Sequence, residues 1–224
     1  MRAMTPDAAP ACLRLDSVNP QGRAFGLRVG DLLLRLDGQA IDGQTATLQA
    51  RFRDSAEHAL CIWRAGEIWQ VLSATPALGR WRSAALPDPV PSAPPADGLR
   101  NWEVMVDAGG RYDVQPCRAS WLALLVPIHL IQMRLWGALA LWAALSALCL
   151  PLGWIAGGMV QALIWLYFWR AAPSLVRADR SARGFRLWRI IAARSEAVLH
   201  RQMPDLAPAL RFVHARPQPQ PHAE

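Results

Sequence analysis

The chain has 224 residues, 53% of them apolar, and a formal net charge of +7 carried by 24 arginines with no lysine. So one-sided a basic composition reflects base composition more than chemistry, and a soluble nucleic-acid binder is excluded because the basic residues flank apolar stretches instead of forming their own patch. The four cysteines, Cys12, Cys61, Cys117 and Cys149, show no CxxC spacing and read as reduced thiols, and the absence of HExxH removes the usual zinc-protease signature.

The first residues, MRAMTPDAAPACLRLDSV, contain no apolar core long enough for a secretory signal, so the N-terminal region is expected in the cytoplasm. From Cys12 the chain reads CLRLDSV, NPQGRAF and GLRVGDLLLRLDGQAIDG: an apolar strand, a small-residue turn, and a second strand entered through Gly30-Asp31 and closed by Asp37-Gly38. A short helix fits TATLQARFRDSA from Thr45, and ALCIWR and EIWQVLSA flank Ala65-Gly66 as a hairpin. Residues 1–78 are therefore a compact α+β module. The run from Gly26 to Gly38, with Val18, Pro20 and Ala24 before it and the Arg64-Ala65-Gly66 hairpin after it, resembles a degenerate bacterial PDZ domain. The resemblance implies binding of an extended peptide as an added strand, with a glycine-containing loop holding the peptide carboxylate. That loop and groove strand should precede CLRLDSV, where MRAMTPDAAP offers two prolines and no glycine, so the likeness covers only about residues 11 to 75. If a groove exists, Leu48 and Phe52, one helical turn apart, are its candidate peptide-binding residues; packing into the core is the alternative for both.

Residues 79–100 are rich in Pro, Ala and Ser and read as a linker, and WEVMV and RYDVQPC around Asp107-Ala108-Gly109-Gly110 form a hairpin over 101–117. Residues 120–133, SWLALLVPIHLIQM, are apolar but short and are placed at a membrane interface. About 35 uncharged residues then separate Arg134 from Arg170, which predicts a transmembrane hairpin of spans 135–151 and 153–169 broken at Pro151 and Gly153. Gly153, Gly157 and Gly158 are the candidate helix-packing residues, serving the hairpin itself or a second copy. Arg170, Arg177, Arg180, Arg183, Arg186 and Arg189 crowd the exit, where they set a cytoplasmic orientation or contact lipid headgroups. The exit segment 174–203 reads equally as a basic amphipathic helix or as a strand, FRLWRIIA, followed by a helix from about Ser195. The tail 204–224 is expected to be disordered. The order of elements over about residues 101 to 203 is similar to a family of small bacterial inner-membrane proteins of unknown function, which implies architecture and no activity.

The expected fold class is α+β, a small PDZ-like β-rich domain joined by a Pro-rich linker to a membrane domain with a two-helix hairpin, multi-pass in a bacterial inner membrane with both termini cytoplasmic. The leading functional expectation is a membrane-anchored interaction or adapter protein with membrane lipid and another protein as partners, no nucleic acid, and oligomerisation as an option. The alternative is a small subunit or stabiliser of a larger integral membrane complex, acting through the hairpin. No nucleophile with a base is evident: Asp31 has a turn to hold, His58 and Glu57 share a loop, and His129 lacks a partner, so no enzymatic activity, cofactor or metal is expected.

Overall fold

The computed structural model describes residues 11–54, 56–89, 92, 94–119 and 121–215. The expectations for the first ten residues, and for the tail beyond 215, lie outside them. Two units emerge: one built from residues up to 113 together with 187 onward, the other from Val114 to Arg186. The architecture is α+β with two sheets.

The first sheet begins with β1 (Ala11–Val18), followed by the short α1 (Pro20–Ala24), whose N-terminus is capped by Asn19 Oδ1 accepting from Gly22 N. Then come β2 (Leu32–Leu36), β3 (Gln39–Ala40), α2 (Thr45–Arg51), the hairpin strands β4 (His58–Arg64) and β5 (Glu67–Ser73), and β6 (Gly79–Ala85). The hairpin turns at Ala65 and Gly66, both with positive φ (48° and 95°), the twist that a two-residue connection between antiparallel strands needs. Strand order is β5-β4-β2-β1-β6, with β3 on β2. Leu13, Leu15, Leu33, Leu60, Ile62, Trp69 and Val71 are almost wholly buried and form the core.

Segment 79–85, read from sequence as part of a linker, is thus a strand antiparallel to β1 from Val18–Gly79 to Ala11–Ala85. Its alternation shows why: Trp81 is buried while Arg80 and Arg82 point outward. Two glycines permit the approach. A Cβ on Gly22 would stand 2.2 Å from the Leu78 carbonyl oxygen, and one on Gly79 would stand 1.9 Å from that of Ser17.

The second sheet, in the order β10-β8-β7-β9, contains β7 (Arg100–Val106), β8 (Arg111–Pro116), β9 (Arg186–Ala193) and β10 (Arg211–Phe212). β9 settles the open choice over the exit segment in favour of a strand, followed by α6 (Glu196–Leu206) with Ser195 as its N-cap. The helix and β10 also replace coil over the first part of the expected disordered tail. Asn101 ties the sheets: its amide donates to Leu72 O at 2.8 Å and accepts from Leu72 N at 2.9 Å, as a strand neighbour would.

Unit 114–186 is helical, with α3 (Val126–Gln132), α4 (Trp136–Leu148) and α5 (Trp154–Ala182). It does not contain the expected transmembrane hairpin. α4 has 13 residues, about 20 Å of helix against a hydrocarbon core of about 30 Å. α5 has 29, but its uncharged part runs only from Trp154 to Trp169 before Arg170 interrupts it. No described helix is long and apolar enough to cross a membrane, which overturns the two-span membrane domain and with it the multi-pass inner-membrane placement. The uncharged stretch was long enough in total, but the 3₁₀ turn at Leu150–Leu152 and the positive-φ Gly153 (φ 76°) divide it into unequal, short pieces.

Replacing Gly22 with alanine should cost about 2 to 3 kcal/mol, since the clash is with backbone that cannot rotate away. Urea unfolding of the two proteins measures this, and an unchanged midpoint would contradict the close approach of Leu78 to α1.

Candidate functional site

The outer edge of β6 has no strand partner among the described residues, and α2 lies beside it. Between them is a cavity of about 310 Å³ lined by Thr45, Leu48, Gln49, Pro76, Ala77, Gly79, Arg80 and Trp81. One wall is therefore a helix with polar Thr45 and Gln49 over apolar Leu48, and the other is an edge strand whose backbone groups are available for pairing. Arg80 is exposed and has no carboxylate partner among the described residues, whereas its neighbour Arg82 is held by Asp16 at 2.8 Å.

The loop leading into β6 is self-satisfied. Thr75 N donates to Ser73 Oγ at 3.2 Å, Ala77 N to Thr75 Oγ1 at 3.1 Å and Leu78 N to Pro76 O at 2.8 Å. The Trp81 indole also donates to Pro76 O, at 3.0 Å. With these three N–H groups already engaged, the loop is a poor cradle for a free carboxylate.

Of the two residues expected to bind peptide, Leu48 does line the cavity, though it is only 2% exposed and forms the floor more than the rim. Phe52 does not reach it. Its ring packs edge-on against His58 at 4.6 Å. Sequence reading placed the groove strand before β1, where the resemblance puts it, and so missed Arg80 and Trp81. The signal that could have found them is the alternation in GRWRS between Pro76 and Pro87.

The far end of α2 is fastened by His58. Its Nδ1 lies 2.7 Å from Asp37 Oδ2 and its Nε2 lies 3.0 Å from Asp54 Oδ1, while Asp37 Oδ1 also accepts from Ala59 N. Burial pulls the imidazole pKa down, but the hydrogen bonds and charges of the two carboxylates outweigh it and the net shift is upward.

A second cluster sits across the sheet. Asp31, 1% exposed, is held by Arg64 through Nε at 2.6 Å and Nη2 at 2.7 Å, and the same guanidinium reaches Gly26 O at 3.0 Å. Trp69 is flanked by Arg64 at 5.0 Å and by Arg189 at 3.9 Å. Arg189 also stacks on Trp188 and pairs with Glu67 at 2.9 Å. This corrects one expectation: Arg189, read as a headgroup contact, is 3% exposed and internal. Of the other arginines in that set, Arg180 and Arg183 pair with Asp179, and Arg170, Arg177 and Arg186 are exposed. Gly153 forms the turn before α5, Gly157 packs against Cys149 O, and Gly158 faces open space.

Burial pushes the Cys61 thiol up to about 12 and raises that of Cys12, so both remain protonated near neutral pH. No group of three metal-ligating side chains occurs among the described residues. Comparison with family models, with curated proteins and with solved structures finds no match to this chain.

Because the folded-state pKa of His58 is raised, its contribution to stability is complete below the unfolded value of about 6.5 and is lost as pH rises through the higher folded value. Urea midpoints of the wild type compared with His58→Gln should therefore differ most at acidic pH and converge at alkaline pH. A gap that widened with pH would contradict the doubly bonded imidazolium.

Proposed function

We propose that the chain is a non-enzymatic interaction protein that captures an extended peptide segment of another protein by strand addition to β6. The observation that carries this reading is the juxtaposition of an edge strand and a helix across a cavity of about 310 Å³, with Arg80 at its side, neither the strand edge nor Arg80 having a partner among the described residues. Main-chain pairing with β6 would supply sequence-independent affinity, and the side chains of alternate peptide residues would meet Leu48, Gln49 and Arg80. Arg80 favours an acidic residue there.

The self-satisfied loop supports a particular kind of ligand. A free carboxylate would have to displace the Thr75, Ala77 and Leu78 hydrogen bonds, whereas an internal segment needs only the strand edge. The proposed ligand is thus an internal acidic-apolar stretch. The proposal keeps the adapter role expected from sequence but not the two-span membrane hairpin, which no described helix is long and apolar enough to form.

Panning a displayed library of internal (both ends fused) peptides against the full chain should enrich acidic-apolar sequences. Gln49→Trp, which fills the cavity from an exposed helix position, should lower their affinity at least tenfold with an unchanged circular dichroism spectrum, and Arg80→Glu should reverse the charge preference. Failure to enrich, or enrichment indifferent to both substitutions, would sink the proposal.

A further inference from the structure

The helical unit leaves an apolar surface unpaired at one end. Around the turn between α4 and α5, Leu148, Leu150, Leu152, Trp154 and Ile155 are 68%, 81%, 51%, 99% and 83% exposed. Together they present on the order of 750 Å² to solvent, given the surface that aliphatic and aromatic side chains of this size carry. A lone chain seldom shows so large an apolar patch, and it matches the roughly 800 Å² per partner that a stable interface covers.

The same end carries a hole beside its knob. A cavity of about 480 Å³ is lined by Ser146, Cys149, Gly153, Trp154, Gly158 and Gln161, among others. Trp154, at 99% exposure, stands at the rim and does not fill it. Gly158 faces open space, so its missing side chain is not required by the packing of this chain. That distinguishes it from Gly157, where a Cβ would come within 2.6 Å of Cys149 O. At the floor, Gln161 donates to Ser146 Oγ at 3.1 Å, and Ser146 Oγ donates onward to Trp142 O at 2.8 Å. No donor among the described residues reaches the Gln161 carbonyl oxygen, which is available as an acceptor for an indole N–H. A protruding donor-bearing ring beside a cavity with a matching acceptor is what a two-fold, self-complementary contact requires.

We infer that the partner for this surface is a second copy of the chain. The two copies meet through the turn between α4 and α5, and each Trp154 enters the cavity of the other, with its N–H directed to Gln161. This inference stands apart from the peptide groove, which belongs to the other unit.

Density-matched sedimentation of the full chain, in which bound detergent or lipid is counted separately from protein mass, tests it. The expected result is a dimer, weakened at least tenfold by Trp154→Ser and by Gly158→Leu, and unaffected by Gly137→Leu, an equally open glycine at the far end of α4. A monomer would overturn the inference, and so would a monomer carrying lipid, detergent or a different protein on this surface. A dimer indifferent to both groove substitutions would also overturn it.

Discussion

The fold depends on how closely β6 can lie against β1. Two glycines leave room for that ladder: a Cβ on Gly79 would meet the Ser17 carbonyl oxygen of β1, and one on Gly22 of α1 would meet the carbonyl oxygen of Leu78 just before β6. With the approach made, Trp81 turns inward and its indole ties down the preceding loop through Pro76 O. The edge of the sheet is then carried past β1 to the side of α2, and the groove follows from that placement. Without β6, β1 would be the edge, and Leu48 would face no strand wall.

The Asp31 and Trp69 cluster supports the other side of the same sheet. A carboxylate 1% exposed would be very costly alone, and the two-point contact from Arg64 gives it a charge-assisted partner on the β4/β5 hairpin. Trp69 then accepts a second guanidinium, Arg189, from β9, so that two like charges share one indole with Glu67 and Asp31 close by. The pair Gly26 and Arg189 shows the same economy as Gly79 and Ser17: a Cβ on Gly26 would stand 3.0 Å from Arg189 Cα. A long sequence separation is thereby closed by a cation–π contact, and the second sheet is held to the first by this contact and by Asn101.

Much of the first module was legible because its signals are local. Gly30-Asp31, Asp37-Gly38 and Ala65-Gly66 mark turns by residue type, and the apolar runs between them are strands of the right length. β6 was hidden because its neighbours Pro76, Pro87 and Pro89 dominate the composition of the window and because its partner lies 61 to 74 positions away, where no local pattern reports it. The helical unit failed for a different reason. Hydropathy summed over the stretch from Leu135 to Trp169 registers total apolar length, but crossing depends on the longest uninterrupted helix, and the turn at Leu150–Leu152 decides that. Arg189 shows the limit of charge counting: in sequence it is one of a row of exposed arginines, and only the tertiary fold places it over Trp69.

Assigned backbone amide spectra of the full chain, recorded while an enriched internal peptide is added, test the strand-addition account most directly. The account expects the largest shifts, and new protection from hydrogen exchange, along Gly79–Ala85 and on α2 at Thr45 to Gln49, with the Thr75, Ala77 and Leu78 amides changing little. Perturbation centred on those three loop amides, or on the Trp188 and Arg189 side of the sheet with β6 unprotected, would contradict it.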